Sequence, residues 1–170
     1  FLILIILATM PSILVGCNKE DKSRDTSKIY PKENFSVIEG TLDNGISLVG
    51  SINLAYENYS RKENYVWCLK VYIALDTSNL YKNGLPLPEE SQIAIQLEDV
   101  LMTEIKKLSV AHYIGHIFND TFMDFYVYLN ETEKVHKYLQ TQINKDGLIR
   151  GFGYEINQDP NWKTVKPFFT

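Results

Sequence analysis

Hydrophobic and polar side chains alternate along two neighbouring stretches of the chain, and a turn signal separates them. In residues 46–55, isoleucine and leucine alternate with serine and asparagine, which is typical of a strand with one buried face. Residues 35–39 form a shorter apolar stretch before it. Asn44-Gly45 lies between the two and readily adopts the positive φ angles of a tight turn, so the pattern predicts a β-hairpin.

Residues 65–75 alternate over their whole length and predict a third strand with two different faces. One face is apolar and suited to packing in a core, whereas the other is mixed. The apolar face carries Tyr65, Trp67, Leu69, Val71 and Ile73, and the mixed face carries Cys68, Lys70 and Tyr72.

The apolar repeat changes to that of an α-helix after Pro88, a residue that suits the first helical position. Glutamates in the first turn and Lys106 and Lys107 in the last complement the helix dipole. The buried stripe is predicted to be Ile93, Leu97, Val100, Leu101, Ile105 and Leu108. The exposed polar side is predicted to carry Glu89, Glu90, Glu98, Asp99 and Glu104.

Two more strands, a second helix and a final strand are predicted in the rest of the chain. Asn130 and Glu133 form the signal of a capping box, and Gly147 would end the helix that follows. The apolar side of this helix would carry Val135, Tyr138, Leu139 and Ile143. The strands are predicted at residues 110–118, 121–129 and 148–156, with a turn at Asn119-Asp120.

The order from residue 65 onward is therefore strand, helix, strand, strand, helix, strand. This order predicts an α+β fold of the ferredoxin-like (βαββαβ) type, an antiparallel sheet with two helices on one face. The N-terminal β-hairpin that precedes it would either extend the sheet or fold across the other face. That other face would carry Cys68, Lys70, Tyr72, Asp124, Tyr126 and Tyr128.

An apolar, uncharged leader, residues 1–16, comes directly before a cysteine. Leu14-Val15-Gly16-Cys17 resembles the lipobox of bacterial lipoproteins, in which the cysteine is acylated and the leader is cleaved away. The basic residues expected ahead of such a leader are absent. We interpret residues 1–16 as a lipoprotein signal peptide and Cys17 as the lipidated residue; an apolar core helix with an incidental cysteine is the alternative.

Residues 17–29 are polar and charged and predict a flexible tether, which leaves residues 30–170 as a single α+β domain. An N-terminal lipid would anchor the protein to a membrane of the bacterial cell envelope, most simply the outer membrane. Lys19-Glu20-Asp21 resembles the short signal that sends some lipoproteins to the cell surface. A solvated linker has the same composition, so both interpretations stay open.

Charge and histidine spacing argue against nucleic acid and metal as ligands. The 170 residues include 17 basic and 21 acidic side chains, a net charge of −4, without the basic runs that bind phosphate backbones. His112 and His116 fall in a predicted strand, where four residues span about 13 Å, too far for one ion. We therefore predict no nucleic-acid partner, no metal ion and no cofactor.

Candidate catalytic groups are sparse in the sequence. Cys68 has no neighbour in sequence that would activate it, so we predict an inert packing role. Asp159-Pro160-Asn161-Trp162 allows two interpretations. It either positions a carboxylate beside an indole at a binding site, or Asp159 starts a final turn and Trp162 seals the core. No catalytic residue is predicted.

Several fragments, taken in order, resemble the domain of unknown function 695 family over residues 35–168. They are Tyr65-Val66-Trp67, Asn83-Gly84-Leu85-Pro86 followed by Pro88-Glu89-Glu90, Phe125-Tyr126-Val127-Tyr128, and Asp159-Pro160-Asn161-Trp162. The resemblance implies an α+β sheet domain related in fold to the inhibitory regulator of ribonuclease E. Family members often carry a Gly-Arg pair where this chain has Asp120-Thr121-Phe122-Met123, so no site is carried over there.

The hypothesis that follows is a membrane-anchored, non-enzymatic binding or interaction module for a protein or small-molecule ligand. Its candidate binding surface is the sheet face with Tyr72, Asp124, Tyr126 and Tyr128, because tyrosine is common where proteins bind partners. The hairpin covering that face is the alternative for these tyrosines. Two other functions stay open: an inhibitor or immunity-type protein, and a hydrolase that uses Asp124, His112 or His116, and Asp159.

Overall fold

The computed structural model describes residues 29–41, 45–143 and 145–169, so the leader and Cys17 lie outside the described residues. These residues form six strands and two helices. In chain order they are β1 (Phe35–Thr41), β2 (Ser47–Asn53), β3 (Trp67–Ala74), α1 (Pro88–Leu108), β4 (Ala111–Asn119), β5 (Phe122–Leu129), α2 (Glu133–Ile143) and β6 (Phe152–Gln158). Neither helix in this part of the chain has the length and hydrophobicity needed to cross a bilayer.

The six strands make one antiparallel sheet in the order β1-β2-β4-β5-β3-β6. The α+β class is confirmed, and the hairpin extends the sheet, which is one of its two predicted positions. With this extension the strand order is not that of a canonical ferredoxin-like fold. Strand β2 pairs with β4, which places the hairpin beside the helix-bearing strands and in the same sheet. The pairing satisfies an edge of β4 that a four-stranded sheet would leave open.

Most of the predicted elements lie within a few residues of their observed bounds. Helix α1 begins at Pro88, as the proline and glutamate signals predict. Helix α2 begins at Glu133, but its predicted cap, Asn130, has another role. The Asn130 side chain accepts hydrogen bonds from Ser109 Oγ at 2.9 Å and from the Val110 N–H at 3.1 Å. It therefore ties the end of α1 to the loop before α2.

Each face of the sheet has its own core. Both helices pack on one face, as predicted, and bury a cluster that includes Leu69, Phe125, Leu101 and Leu139. The other face is covered by the connection 54–66 and the C-terminal segment 159–169, which supply Tyr56, Tyr65, Trp162 and Val165. Tyr65, predicted on the face of Leu69, therefore lies on the opposite side because it precedes β3. The hairpin does not fold across this face, because its strands are used in extending the sheet.

Strand β4 contains a bulge that changes the direction of its side chains. The register with β5 shifts between Tyr113 and Gly115, so Tyr113 and His116 both face the helices while His112 faces the opposite core. Gly115 has a φ of 146°, and a Cβ there would overlap the carbonyl oxygen of Ser51 on β2. The bulge therefore depends on glycine.

Replacing Gly115 with alanine should lower the free energy of unfolding by about 3 kcal/mol, because the backbone is strained and β2 must move away. Urea unfolding followed by circular dichroism measures this loss. Gly151→Ala is the matched control, since nothing lies within 4 Å of a Cβ at that position. Equal destabilisation by the two substitutions would contradict the assignment of the bulge.

Candidate functional site

The predicted binding surface on the tyrosine-bearing face is largely closed. Tyr126 and Tyr128 are only 7% and 0% exposed, and Asp124 is buried with them. Trp162 stacks on Tyr128 with ring centroids 3.9 Å apart, and Phe168 lies against Tyr126. Of the four predicted residues only Tyr72 is exposed. In the described structure a ligand therefore cannot reach the tyrosines of this face as a group.

Asp159 and Trp162 have structural roles, as the second interpretation of their motif predicts. Asp159 Oδ2 accepts a hydrogen bond from the Tyr128 hydroxyl at 2.6 Å, and the carboxylate also accepts the Lys163 and Thr164 backbone N–H groups. Burial alone would raise the pKa of Asp159, but these hydrogen bonds outweigh it and lower the pKa. The carboxylate therefore holds the final turn of the chain.

His112 is fully buried among aromatic rings. Its Nδ1 lies 3.1 Å from the Tyr56 hydroxyl, and its Nε2 has no hydrogen-bond partner. Burial lowers the pKa of His112 to about 4, so the ring is neutral at ordinary pH. Among the described residues no group of three histidine, cysteine or acidic side chains lies close enough to hold a metal ion.

Two other residues considered as candidates from the sequence, Asp124 and Cys68, are buried in the described structure. Asp124 forms an ion pair with Lys70 at 3.0 Å and accepts a hydrogen bond from Asn119. Cys68 is buried, and burial raises the pKa of its thiol to about 11, which leaves it unreactive at neutral pH. The residues required by the hydrolase hypothesis thus lie in separate environments and do not form one site. They are Asp124, His112 or His116, and Asp159.

An open groove lies on the helix-bearing face, where β1 and β2 extend the sheet beyond the cover of the helices. We call it the α1–hairpin groove. It consists of two adjoining cavities of about 390 and 360 Å³ that share Ser51 and His116 in their lining. The first cavity is mostly apolar and is lined by Val37, Val49, Tyr81, Leu85 and Phe118; the second includes Phe35, Ile95 and Met102.

Three polar side chains meet at the junction of these cavities. The Tyr113 hydroxyl donates to Glu98 Oε1, and His116 Nδ1 lies 2.9 Å from Glu98 Oε2. The hydroxyl oxygen of Tyr113 and His116 Nδ1 are 3.0 Å apart. Burial and the charge of Glu98 both raise the pKa of Tyr113, so this hydroxyl keeps its proton. The three residues form a connected network on the groove wall.

The network determines which ring nitrogen of His116 is left without a hydrogen bond to Glu98 or Tyr113. A carboxylate only accepts hydrogen bonds, so Nδ1 must carry the proton that it donates to Glu98. In the neutral ring Nε2 is then an acceptor. His116 is partly exposed, with 15% of its side chain accessible, so a ligand in the groove can reach the ring. With the ring neutral, the arrangement suits recognition of an N–H or O–H donor.

Glu98 is not on the exposed side of the helix, where the sequence pattern predicts it, and that prediction is wrong. It is only 3% exposed. Ala94 and Met102, four residues before and after it, are both buried, so helical spacing does place Glu98 within the buried stripe. Glu90 is likewise buried, and forms two hydrogen bonds with Arg150.

Comparison with known proteins identifies one family. A model described as "Family of unknown function (DUF695)" matches residues 33–169, a range that contains the whole α1–hairpin groove. A search of curated proteins found no match, and a search of solved structures found none either. The resemblance noted in the sequence is confirmed by this match. The chain belongs to the DUF695 family of unknown function.

Proposed function

We propose that this chain is a lipid-anchored protein of the bacterial cell envelope whose domain is a non-enzymatic binding module, with the ligand held in the α1–hairpin groove. One observation carries the binding function: apolar side chains stay exposed around a concave site. Val37 is 68%, Tyr81 54% and Phe35 44% exposed, and all three line the groove. Exposed apolar residues grouped around a cavity are typical of binding sites.

The lining indicates the chemistry of the ligand. Each cavity has the volume of a small organic molecule or of one large side chain from a partner protein. An apolar body would pack against Val49 and Phe118, and one O–H or N–H group would donate to His116 Nε2. A partner protein that presents such a side chain would fit the inhibitor or immunity-type alternative without changing the site.

Replacing Val37 with aspartate should weaken binding of para-ethylphenol, a probe with this chemistry, by about tenfold, because a charge would enter the apolar part of the groove. Titration calorimetry measures the dissociation constant. Tyr72→Asp is the matched control, since Tyr72 is exposed on the opposite face. An equal loss with both substitutions, or the same affinity in all three proteins, would contradict binding in the groove.

The anchor is proposed from the sequence, namely the apolar leader, the lipobox and the polar tether before the domain. Acyl chains on Cys17 would contribute about 0.8 kcal/mol for each buried methylene, enough for stable attachment with two or more chains. Mass spectrometry of protein from native membranes should find an acylated Cys17 as the first residue. Cys17→Ser should release the protein from membranes while Cys68→Ser should not. An unmodified Cys17 still joined to residues 1–16 would overturn the proposal.

A hydrolase is the second candidate, and the Glu98–His116 pair is what favours it. Ser51 lies directly opposite His116 in the register of β2 and β4, and both line the groove. In such an enzyme Ser51 Oγ would attack an ester carbonyl and pass its proton to His116 Nε2, which would return it to the leaving alcohol; water would then release the acid. Turnover of para-nitrophenyl esters that Ser51→Ala and His116→Phe both abolish would favour this candidate over the binding module.

A further inference from the structure

The two edges of the sheet differ in how well they are protected. Strands β1 and β6 lie at the ends of the strand order. Edge strands with exposed apolar residues pair readily with other strands, and proteins usually prevent this with charge, proline or a cover. The exposed side chains of β6 are Glu155, Asn157 and Gln158, all polar.

Strand β1 has little of this protection. Two of its exposed side chains, Val37 and Phe35, are apolar, and Glu39 is its single charged residue. It contains neither lysine nor proline. No element of the described chain pairs with its outer side. Within the described residues, the sheet thus ends on one side in a strand with exposed apolar side chains and an unpaired edge.

The backbone of β1 is oriented to accept another strand. The Leu54 N–H donates to the carbonyl of Asn34 at 2.8 Å, immediately before β1, so Asn34 faces β2. Hydrogen-bonding direction alternates along an antiparallel strand. Ser36 and Ile38 therefore also face β2, whereas the N–H and C=O groups of Phe35, Val37 and Glu39 point away from the sheet. A second strand would meet outward-facing backbone groups at these three positions, of which the Val37 carbonyl also accepts a hydrogen bond from Ser36 Oγ at 3.5 Å.

We propose that β1 is the interface at which two copies of this chain associate, through antiparallel pairing of β1 with β1 of the second copy. A two-fold axis at Val37 places this valine opposite its own copy, and cross-strand pairs of β-branched residues stabilise sheets. The same axis places Phe35 opposite Glu39 of the second copy, so the two Glu39 carboxylates do not oppose each other. The strand is in this way complementary to itself.

The association has a consequence for the groove and does not depend on a ligand. The two-fold axis between antiparallel strands runs perpendicular to the sheet, so the helix-bearing faces of both copies point the same way. The two α1–hairpin grooves then adjoin across β1, and together they form one trough bounded by α1 of each copy. Val37 and Phe35 of both copies lie along the middle of its floor.

Sedimentation equilibrium of the full chain tests the association. We expect a reversible dimer, and we expect Val37→Lys to weaken it by about tenfold or more because a charge enters the interface. Val100→Lys is the matched control. Val100, predicted in the buried stripe of α1, is in fact 60% exposed, and it lies away from the edge. A monomer at every concentration, or equal weakening by both substitutions, would overturn the proposal.

Two further variants separate the edge from the groove. Val37→Pro removes an N–H that points away from β2, so it should prevent dimerisation while circular dichroism stays unchanged. In a Cys17→Ser background, Val37→Cys should form a disulfide between copies, because opposed residues of a hydrogen-bonded pair lie about 5.5 Å apart at Cα. Tyr72→Cys should not. A dimer that survives Val37→Pro, or a Val37→Cys protein that forms no disulfide between copies, would also overturn it.

Discussion

Truncating Trp162 to alanine should lower the free energy of unfolding by about 4 kcal/mol, in the range found for large buried aromatic residues. Its side chain is 1% exposed and stacks on Tyr128 at an angle of 12° between the ring planes. Its Nε1–H donates to the Tyr65 carbonyl at 2.9 Å. The substitution thus removes a contact that joins the C-terminal segment both to the sheet and to the 54–66 connection. Chemical unfolding with guanidinium measures the loss.

Tyr81→Ala provides the comparison, because Tyr81 is 54% exposed and its removal should change stability by less than about 0.5 kcal/mol. Trp162→Phe should recover part of the loss, since a ring remains to stack on Tyr128 while the hydrogen bond to Tyr65 is missing. A Trp162→Ala protein as stable as the Tyr81→Ala protein would contradict the view that the C-terminal segment closes this face of the sheet.

Acidification should destabilise the fold because of His112. Its pKa is about 4 in the folded protein, against 6.5 when unperturbed, since burial opposes the charged form. Well above pH 6.5 the ring is neutral in both the folded and the unfolded state, so its titration does not change the free energy of unfolding. Between pH 6.5 and 4 the unfolded chain binds a proton that the folded chain excludes. The shift corresponds to about 3 kcal/mol of stability, lost by pH 4.

The surroundings of His112 support a loss of stability on acidification. The rings around it belong to Tyr30, Tyr56, Tyr59, Tyr65 and Trp162, none of which is negatively charged at this pH. The carboxyl groups whose pKa the fold lowers, Asp76, Glu90, Glu133 and Asp159, lose their contribution at lower pH, below their ordinary pKa near 4. The interval between pH 6.5 and 4.5 therefore reports chiefly on histidine.

Thermal or urea unfolding at a series of pH values measures the effect. His112→Gln keeps a polar group beside Tyr56 but has no proton to bind, so its stability should change much less over that interval. His136→Gln is the matched control, because His136 is exposed on α2, and should retain the slope of the unaltered protein. A His112→Gln protein with an unchanged slope would show that another group causes the loss.

The elements could be predicted from local patterns, because each depends on residues close in sequence. Pro88 and the glutamates after it mark the start of α1, and alternation from Trp67 to Ile73 identifies β3 and its buried face. The place of the hairpin could not be predicted in this way. Whether it extends the sheet or crosses it depends on pairing between β2 and β4, which are separated by two other elements in the chain.

The candidate site could not be predicted from the sequence, for two physical reasons. Uninterrupted alternation would place His112 and His116 on the same side of β4, whereas the bulge before Gly115 places His116 beside Glu98 and His112 in the opposite core. Alternation correctly groups the tyrosines on one face of the sheet but does not show what covers that face. The segment around Trp162 that closes it comes from the end of the chain, and only the final turn held by Asp159 gives a signal for it.

The location of bound ligand on the domain can be measured by nuclear magnetic resonance with two probes that differ by one hydrogen-bond donor. Para-ethylphenol should shift backbone signals around Val49, Ser51 and His116, and para-ethylanisole, which lacks the donor, should bind about tenfold more weakly. Shifts confined to residues around Tyr126, equal binding of the two probes to the unaltered protein, or an unchanged preference for para-ethylphenol in a His116→Phe protein would contradict recognition of a donor in the α1–hairpin groove.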